Sequence, residues 1–135
     1  MDLSLIEDIV FTHIITRFSP SLMSEFSMTK QSNFSTNSHN NTNSVFPYVY
    51  IHLMPAVEVG NTLDNTVICG GMYTFEIRVT DNKSQSRARR VMAEVVRIMK
   101  LLRFSVTSMP YFDNSETTYV QIARFRRVIG ADDKF

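Results

Sequence analysis

The sequence predicts an α+β fold: a mainly antiparallel (mixed) sheet of four to five strands, with two helices packed on one face. Apolar and polar residues alternate from Tyr73 to Thr80, with the period of a half-buried strand. Turn-forming residues follow at 81–84, and apolar residues then recur every three or four positions from Ala88 to Leu102, which is typical of an amphipathic helix. Strands on both sides of this helix favour an antiparallel sheet.

Length and composition predict a single domain over residues 1–135. A chain of 135 residues has room for one hydrophobic core, and its apolar content of 44% is ordinary for a globular protein. No stretch approaches the roughly 18 apolar residues of a membrane helix, so we expect no membrane contact. The single cysteine, Cys69, cannot form a disulfide within the chain, which suits a protein made in a reducing cytoplasm.

The residue pattern in the first third of the chain predicts a helix followed by a long loop. The helix is expected over 3–18 and to stop at Ser19-Pro20; it is either well buried or in contact with two partners. Ser, Thr or Asn occupies eleven of the thirteen positions from 32 to 44, a composition that cannot bury enough apolar area to order its backbone. We therefore expect a mobile loop at about 30–45, preceded by a possible short strand at 26–29.

The remaining elements are predicted from shorter patterns. A strand is expected over 48–53, between two prolines, and Gly70-Gly71 is expected to form a turn. After the second helix we expect a short strand near 104–108 and then a turn from Pro110 to Ser115. The last strand, 117–128, has apolar residues in both phases, which indicates either a bulge or a strand covered on both sides.

No pattern in the sequence predicts catalysis. The three histidines (His13, His39 and His52) lack the spacing of metal ligands, and nothing local supports a nucleophile–base pair of Cys69 with His52. We therefore expect a protein that is not an enzyme, with no catalytic residue, metal or cofactor.

Charge is unevenly distributed along the chain. Residues 1–82 carry three basic and eight acidic side chains, whereas residues 83–127 carry ten basic and three acidic ones. Such a chain can bind nucleic acid or dock head-to-tail on copies of itself. The residues predicted to contact a neighbouring subunit or another partner are Arg87, Arg90, Arg124, Arg126 and Arg127, with Glu76, Asp64 and Glu58 as acidic counterparts.

An ordered set of short segments resembles one protein family. The segments are Phe46-Pro47-Tyr48-Val49-Tyr50-Ile51, Gly70-Gly71 leading into Tyr73-Thr74-Phe75-Glu76-Ile77, Asp81 to Ser86, Val95 to Met99, Met109-Pro110 and Ala123 to Gly130. Together they resemble the tail terminator (tail completion) proteins of long-tailed phages and prophages. The resemblance covers roughly residues 45–130, and it is carried by the order of the set rather than by one motif.

The resemblance implies a structural protein of the virion, made in the host cytoplasm. In that family six copies form a ring that caps the tail tube, stops its polymerisation and offers a surface to the head connector. The implied partners are further copies of the chain, the tail tube protein, a head-completion or connector protein and, transiently, genomic DNA in the lumen. The alternatives are a head-completion protein of the same neck region and a nucleic-acid-binding module that uses the basic segment.

Overall fold

The computed structural model describes residues 5–30, 32–36, 45–59 and 70–130. In chain order the elements are α1 (Ile6–Arg17), α2 (Pro20–Glu25), β1 (Phe34–Thr36), β2 (Tyr48–Leu53), β3 (Val57–Val59), β4 (Gly70–Asp81), α3 (Gln85–Leu101), β5 (Ser105–Phe112) and β6 (Tyr119–Gly130). The predicted α+β class is confirmed. None of the described helices is long and apolar enough to cross a membrane.

The sheet is mixed and mainly antiparallel, as predicted. Its strand order is β1-β2-β4-β6-β5, and β1 and β2 form the parallel pair among the described strands. The short β3 pairs with the beginning of β4. Leu53 faces Phe75 and Val57 faces Met72, so the chain from β2 to β3 has one residue more than the facing part of β4. Pro55, which cannot donate a ladder hydrogen bond, lies in this irregular stretch.

The centre of the sheet is the long antiparallel pair β4–β6. Twelve residue pairs follow one another without a shift, from Gly70 opposite Gly130 to Asp81 opposite Tyr119. Alternate residues, such as the facing Phe75 and Phe125, are fully buried on the face that the helices cover. We call this the inner face, and the opposite one the outer face.

The helices cover the inner face with the apolar stripes that the sequence predicts. On α3 the stripe is buried throughout, from Ala88 to Leu102, and this helix contacts β4, β6 and β5. On α1 the buried residues are Ile6, Val10 and Ile14, and this helix contacts α3, β1 and β2. The two helices therefore divide the sheet: α1 lies over its β1 edge, and α3 over its centre and its β5 edge.

The turn into α3 is built as the sequence predicts. The Ser84 hydroxyl caps the helix by accepting a hydrogen bond from the Arg87 backbone N–H at 3.2 Å. The buried Asp81 carboxylate accepts from the backbone N–H groups of Lys83 (3.2 Å) and Ser84 (3.0 Å). Both interactions satisfy backbone donors that the turn and the helix start would otherwise leave without partners.

The first helix ends before Ser19-Pro20 as predicted, but the short helix α2 that follows it was not predicted from the sequence. The Ser19 hydroxyl accepts from the Leu22 backbone N–H, and Pro20 occupies the first helical position, so the pair begins a new helix directly after the end of α1. The short strand proposed at 26–29 is wrong. The Met28 backbone N–H donates to the Met23 carbonyl at 2.8 Å, which makes this segment part of the turn that closes α2.

The loop predicted at about 30–45 is wrong for Phe34–Thr36, which forms β1. Asn33 is fully buried, accepts from the Thr29 backbone N–H and donates from Nδ2 to the Pro47 carbonyl at 2.7 Å. Phe34 packs edge-on against Phe18, with ring centroids 5.2 Å apart. These two side chains anchor a polar tract whose composition alone indicates a loop; residues 37–44 lie outside the described part.

Three further predictions are corrected or decided in the sheet. Gly70-Gly71 starts β4 instead of forming a turn, and the Tyr73 ring lies so close that a Cβ at Gly71 would come within 2.8 Å of it. Pro110 lies within β5, an edge strand with two register shifts, where a missing N–H is tolerated. β6 pairs with β4 without a shift and is buried at three successive residues, 121–123, so it is covered on both sides there.

Candidate functional site

The outer face of the sheet holds the candidate site. Because side chains alternate along a strand, Glu76 and Arg78 of β4 point to the outer face, as do Arg124 and Arg126 of β6. The described helices contact the inner face, so these four side chains belong to a surface that those helices do not cover. Three of the four are residues predicted from the sequence as contact residues.

A buried carboxylate organises the outer face. Glu76 Oε1 accepts from Arg78 Nε and Glu76 Oε2 accepts from Arg124 Nε, both at 3.0 Å. The side chain of Glu76 is only 11% exposed, whereas those of Arg78 and Arg124 are 48% and 45% exposed. Each of these two bonds is donated by a single Nε. One carboxylate thus fixes two half-exposed cations side by side, as a preorganised receptor for an anionic group.

The pKa of Glu76 follows from two opposing causes. Burial raises the pKa of this carboxyl, but the hydrogen bonds and charges of Arg78 and Arg124 outweigh burial and bring the pKa below its ordinary value. Glu76 is therefore ionised at neutral pH. Glu76 was predicted to contact a neighbouring subunit. In the structure its carboxylate is hydrogen-bonded to two arginines of its own chain, and the contact to a neighbouring subunit stays a prediction.

Aromatic side chains extend the outer face towards β2. His52 lies opposite Glu76 and Tyr50 lies opposite Arg78 in the β2–β4 pair. The Tyr50 and His52 rings stack with centroids 5.9 Å apart and planes inclined by 17°. Both side chains are half-buried, so the row of charged residues continues into a stacked aromatic pair.

The three arginines predicted as one cluster on the last strand lie on two faces. Arg124 and Arg126 point outward, and Arg126 is exposed with no hydrogen-bond or ion-pair partner among the described residues. Arg127 points inward and donates from Nη1 to the Leu102 carbonyl at 2.9 Å. It thereby satisfies a carbonyl at the end of α3, where a cation also complements the helix dipole.

The two predicted arginines of α3 contact their own chain. The Arg87 guanidinium lies 5.1 Å from the centre of the Phe26 ring, 3.5 Å from an Asp81 carboxylate oxygen and 3.4 Å from the Phe46 carbonyl oxygen. With a side chain only 17% exposed, Arg87 joins α3 to α2 and to the start of β2.

Arg90 is more exposed and makes a bidentate ion pair with Glu25, with N–O distances of 2.6 and 2.7 Å. Its guanidinium also lies over the Phe26 ring, 5.0 Å from the centre. The hydrogen bonds to Glu25 raise the pKa of Arg90 and lower that of Glu25, so both are charged at neutral pH. Arg90 therefore links α3 to α2 at the surface.

Sequence reasoning missed one residue of the outer face and one groove. Arg78 lies in the acidic part of the chain, although its position two residues after Glu76 on a strand places both on one face. An apolar groove of about 830 Å³ lies between α3 and β5, lined by Val96, Val106 and the highly exposed Met109, among other residues. No sequence signal identifies it, because it depends on how the helix crosses the strand.

The remaining residues that the sequence singles out, for chemistry or for contact, do not belong to the outer face as described. Among the described residues no group of three His, Cys, Asp or Glu side chains could hold a metal ion. His39, Asp64 and Cys69 are outside the described part of the chain, and Glu58 lies in β3.

We compared the chain with protein-family models and with curated proteins, and neither comparison gives a match.

Proposed function

We propose that this protein is a tail terminator: a structural virion protein whose copies form a ring at the end of the tail tube. In this role it stops polymerisation of the tube and joins the tail to the head connector. The proposal is supported by the ordered resemblance over residues 45–130, and a sheet with helices on one side agrees with the fold that the family implies. The chain acts by contact and carries out no chemical step.

The observation that carries the proposal is the group of arginines fixed on the outer face, which the described helices do not cover. A terminator must bind its neighbours in the ring and, in addition, the tube and the connector. The helices cover the inner face. The outer face carries a charged surface made of Arg78 and Arg124, which Glu76 holds in place, and of the exposed Arg126. Such a preorganised surface suits a protein partner with exposed carboxylates.

The proposed partners are those that the family resemblance implies. Further copies of the chain form the ring, which we expect to be a hexamer at the head–tail interface of the virion. The tail tube protein and the head-completion or connector protein bind its two ends. Genomic DNA passes through the lumen and touches the ring only through its phosphates, without base recognition.

The first experiment measures assembly of the full chain. Native mass spectrometry and negative-stain electron microscopy, with and without purified tail tube, should reveal a ring with a mass near six subunits. A chain that stays monomeric even with the tube present contradicts the proposal.

The second experiment separates the two roles at the neck. Deleting the gene from the phage or prophage that carries it should yield overlong or unattached tails beside intact, DNA-filled heads. Heads that leak DNA, with tails of normal length, would instead identify a head-completion protein.

A nucleic-acid-binding role is the second candidate, because the outer face presents half-exposed guanidinium groups that can contact phosphates. It predicts tight duplex binding that weakens steeply with salt. Filter binding or fluorescence anisotropy at low ionic strength tests it, with Arg126→Ala as the variant. Undetectable binding at low salt removes this candidate.

A further inference from the structure

The groove between α3 and β5 is a second surface with its own chemistry. Val96 from the helix and Val106 and Pro110 from the strand supply its apolar lining, and Met109 is 73% exposed, the highest value among the exposed large hydrophobic residues. Lys100 and Arg103 also line the groove. Both are exposed, and neither has an ion-pair partner among the described residues. The groove therefore suits an apolar partner that carries negative charge.

The backbone at Arg103 has a conformation that an arginine adopts at a cost in stability. The end of α3 is a Schellman motif: the Phe104 N–H donates to the Met99 carbonyl and the Arg103 N–H to the Lys100 carbonyl, both at 3.0 Å. Arg103 has φ 67°, a left-handed conformation at the position where glycine is the favoured residue. An arginine kept in a conformation that favours glycine points to a role in contact.

The partner does not add a strand to the edge of the sheet. Pro110 lacks an N–H, and two register shifts bend the β5 ladder between Val106 and Tyr111. Both features block pairing with another extended chain. A partner must therefore bind through side chains, as a helix does when it lies in a groove.

A matching surface occurs on α1. Leu5, Asp8, Ile9, Thr12 and His13 recur at helical spacing and line a shallow hollow on the side of the helix turned away from the core. Leu5 is 49% exposed, and Asp8 is exposed as well. This surface is apolar and acidic, whereas the groove is apolar and basic.

The two surfaces lie at opposite edges of the sheet. α1 contacts β1 and β2, and the groove lies against β5, at the far end of the strand order. Two different, complementary surfaces on opposite sides of a subunit give head-to-tail contacts, and such contacts close into a ring when the rotation per subunit allows it.

We propose that α1 of one copy docks in the α3–β5 groove of the next copy. Asp8 faces Lys100 and Arg103, while Leu5 and Ile9 cover the exposed Met109. The inference rests on the proposed ring and specifies the contact that would build it.

Charge reversal tests the contact in the full chain. The double variant Lys100→Glu, Arg103→Glu should lower the assembled fraction at least tenfold by native mass spectrometry, with the circular dichroism spectrum unchanged. Adding Asp8→Lys should restore assembly, because the charges again oppose each other. The control Lys30→Glu, Lys83→Glu makes the same change of charge away from the groove and should assemble as the wild type does. If the triple variant folds but remains monomeric, the proposed contact is overturned.

A single substitution separates contact from folding. Arg103→Gly relieves the left-handed backbone, so it should raise the melting temperature while lowering the assembled fraction. A residue that only stabilised the subunit would move both quantities in the same direction. Arg103→Gly with a higher melting temperature and unchanged assembly excludes Arg103 from the contact.

Cysteine cross-linking tests proximity directly. In a Cys69→Ser background, Thr12→Cys on one chain and Ser105→Cys on another should form a disulfide-linked dimer after mixing and oxidation. Ser86→Cys, at the other end of α3, replaces Ser105→Cys as the control and should give no dimer. If the wild-type chain forms rings, but the cysteine variants give no cross-link and the charge-reversed variant still assembles, the contact is overturned and the proposed function is not. A wild type that never assembles, even on tail tube, overturns both.

Discussion

The two faces of the sheet use the same strands for different purposes. On the inner face Phe75 and Phe125 are fully buried against the helices, and packing stabilises them. On the outer face the adjoining strand positions include charged residues, and Glu76 with Arg78 and Arg124 forms a hydrogen-bonded cluster in which both arginines are half-exposed. Stability is therefore expected to depend mainly on the inner face.

The largest expected effect is on the inner face. Phe125→Ala removes a fully buried ring opposite Phe75 and should lower the free energy of unfolding by about 3–5 kcal/mol, the usual cost of such a cavity. Urea denaturation followed by circular dichroism measures it. Val128→Ala, at a residue 55% exposed on the outer face, is the matched control and should change stability by less than about 1 kcal/mol. Equal losses for both variants would break the comparison.

The next effect tests the polar residue at the end of the inner face. Asp81→Ala leaves the backbone donors of Lys83 and Ser84 without their acceptor and removes the counter-charge of Arg87. Unfolding free energy should fall by about 2 kcal/mol. The control Asp113→Ala changes an exposed acid and should have little effect. A loss as small as that of the control would mean that packing alone stabilises this face.

The outer cluster should have a smaller and pH-dependent effect. Glu76→Gln should cost about 1 kcal/mol at pH 7, since both arginines are nearly half exposed and water screens them. The folded pKa of Glu76 lies below its unfolded value, so the contribution is complete above about pH 4.5. It disappears as pH falls through the folded pKa. Urea titrations of both proteins from pH 7 to 3 should therefore converge at the acid end; a constant difference would contradict the ionic origin.

The smallest effect on stability is expected at Arg126. Because it is exposed and without a described partner, Arg126→Ala should change unfolding free energy by no more than about 0.5 kcal/mol. Assembly with the tail tube should nevertheless weaken, which co-sedimentation measures. The control Arg89→Ala removes an exposed arginine that lies over the Phe112 ring, away from the outer face. Equal binding by both variants would remove Arg126 from the surface for the tube.

The sequence predicts the parts of the fold whose patterns are long. The alternation in β4 and the stripe of α3 each extend over several repeats, so a few exceptions do not obscure them. Short elements depend on tertiary contacts instead. β1 has three residues in a tract of Ser, Thr and Asn and is held by Asn33 and Phe34, and α2 begins at a Ser-Pro pair that also suits a stop.

The sequence identifies most of the charged residues of the candidate site, but it does not predict which of them contact one another. The arginines of the last strand were identified by charge, and strand alternation alone separates Arg127 from Arg124 and Arg126. The pairing of Glu76 with Arg124 required the register of β4 and β6, which are 48 residues apart at this pair. No pattern within either strand specifies that register.

The position of β6 has a consequence for synthesis of the protein. Both β4 and β5 pair with this strand, yet it follows them in the chain. A nascent chain that has emerged only as far as β5 exposes the unpaired edge of β4 and lacks Arg124 and Arg126. Translation therefore delivers β6 after both strands that pair with it, so the sheet is completed only when the last strand has emerged.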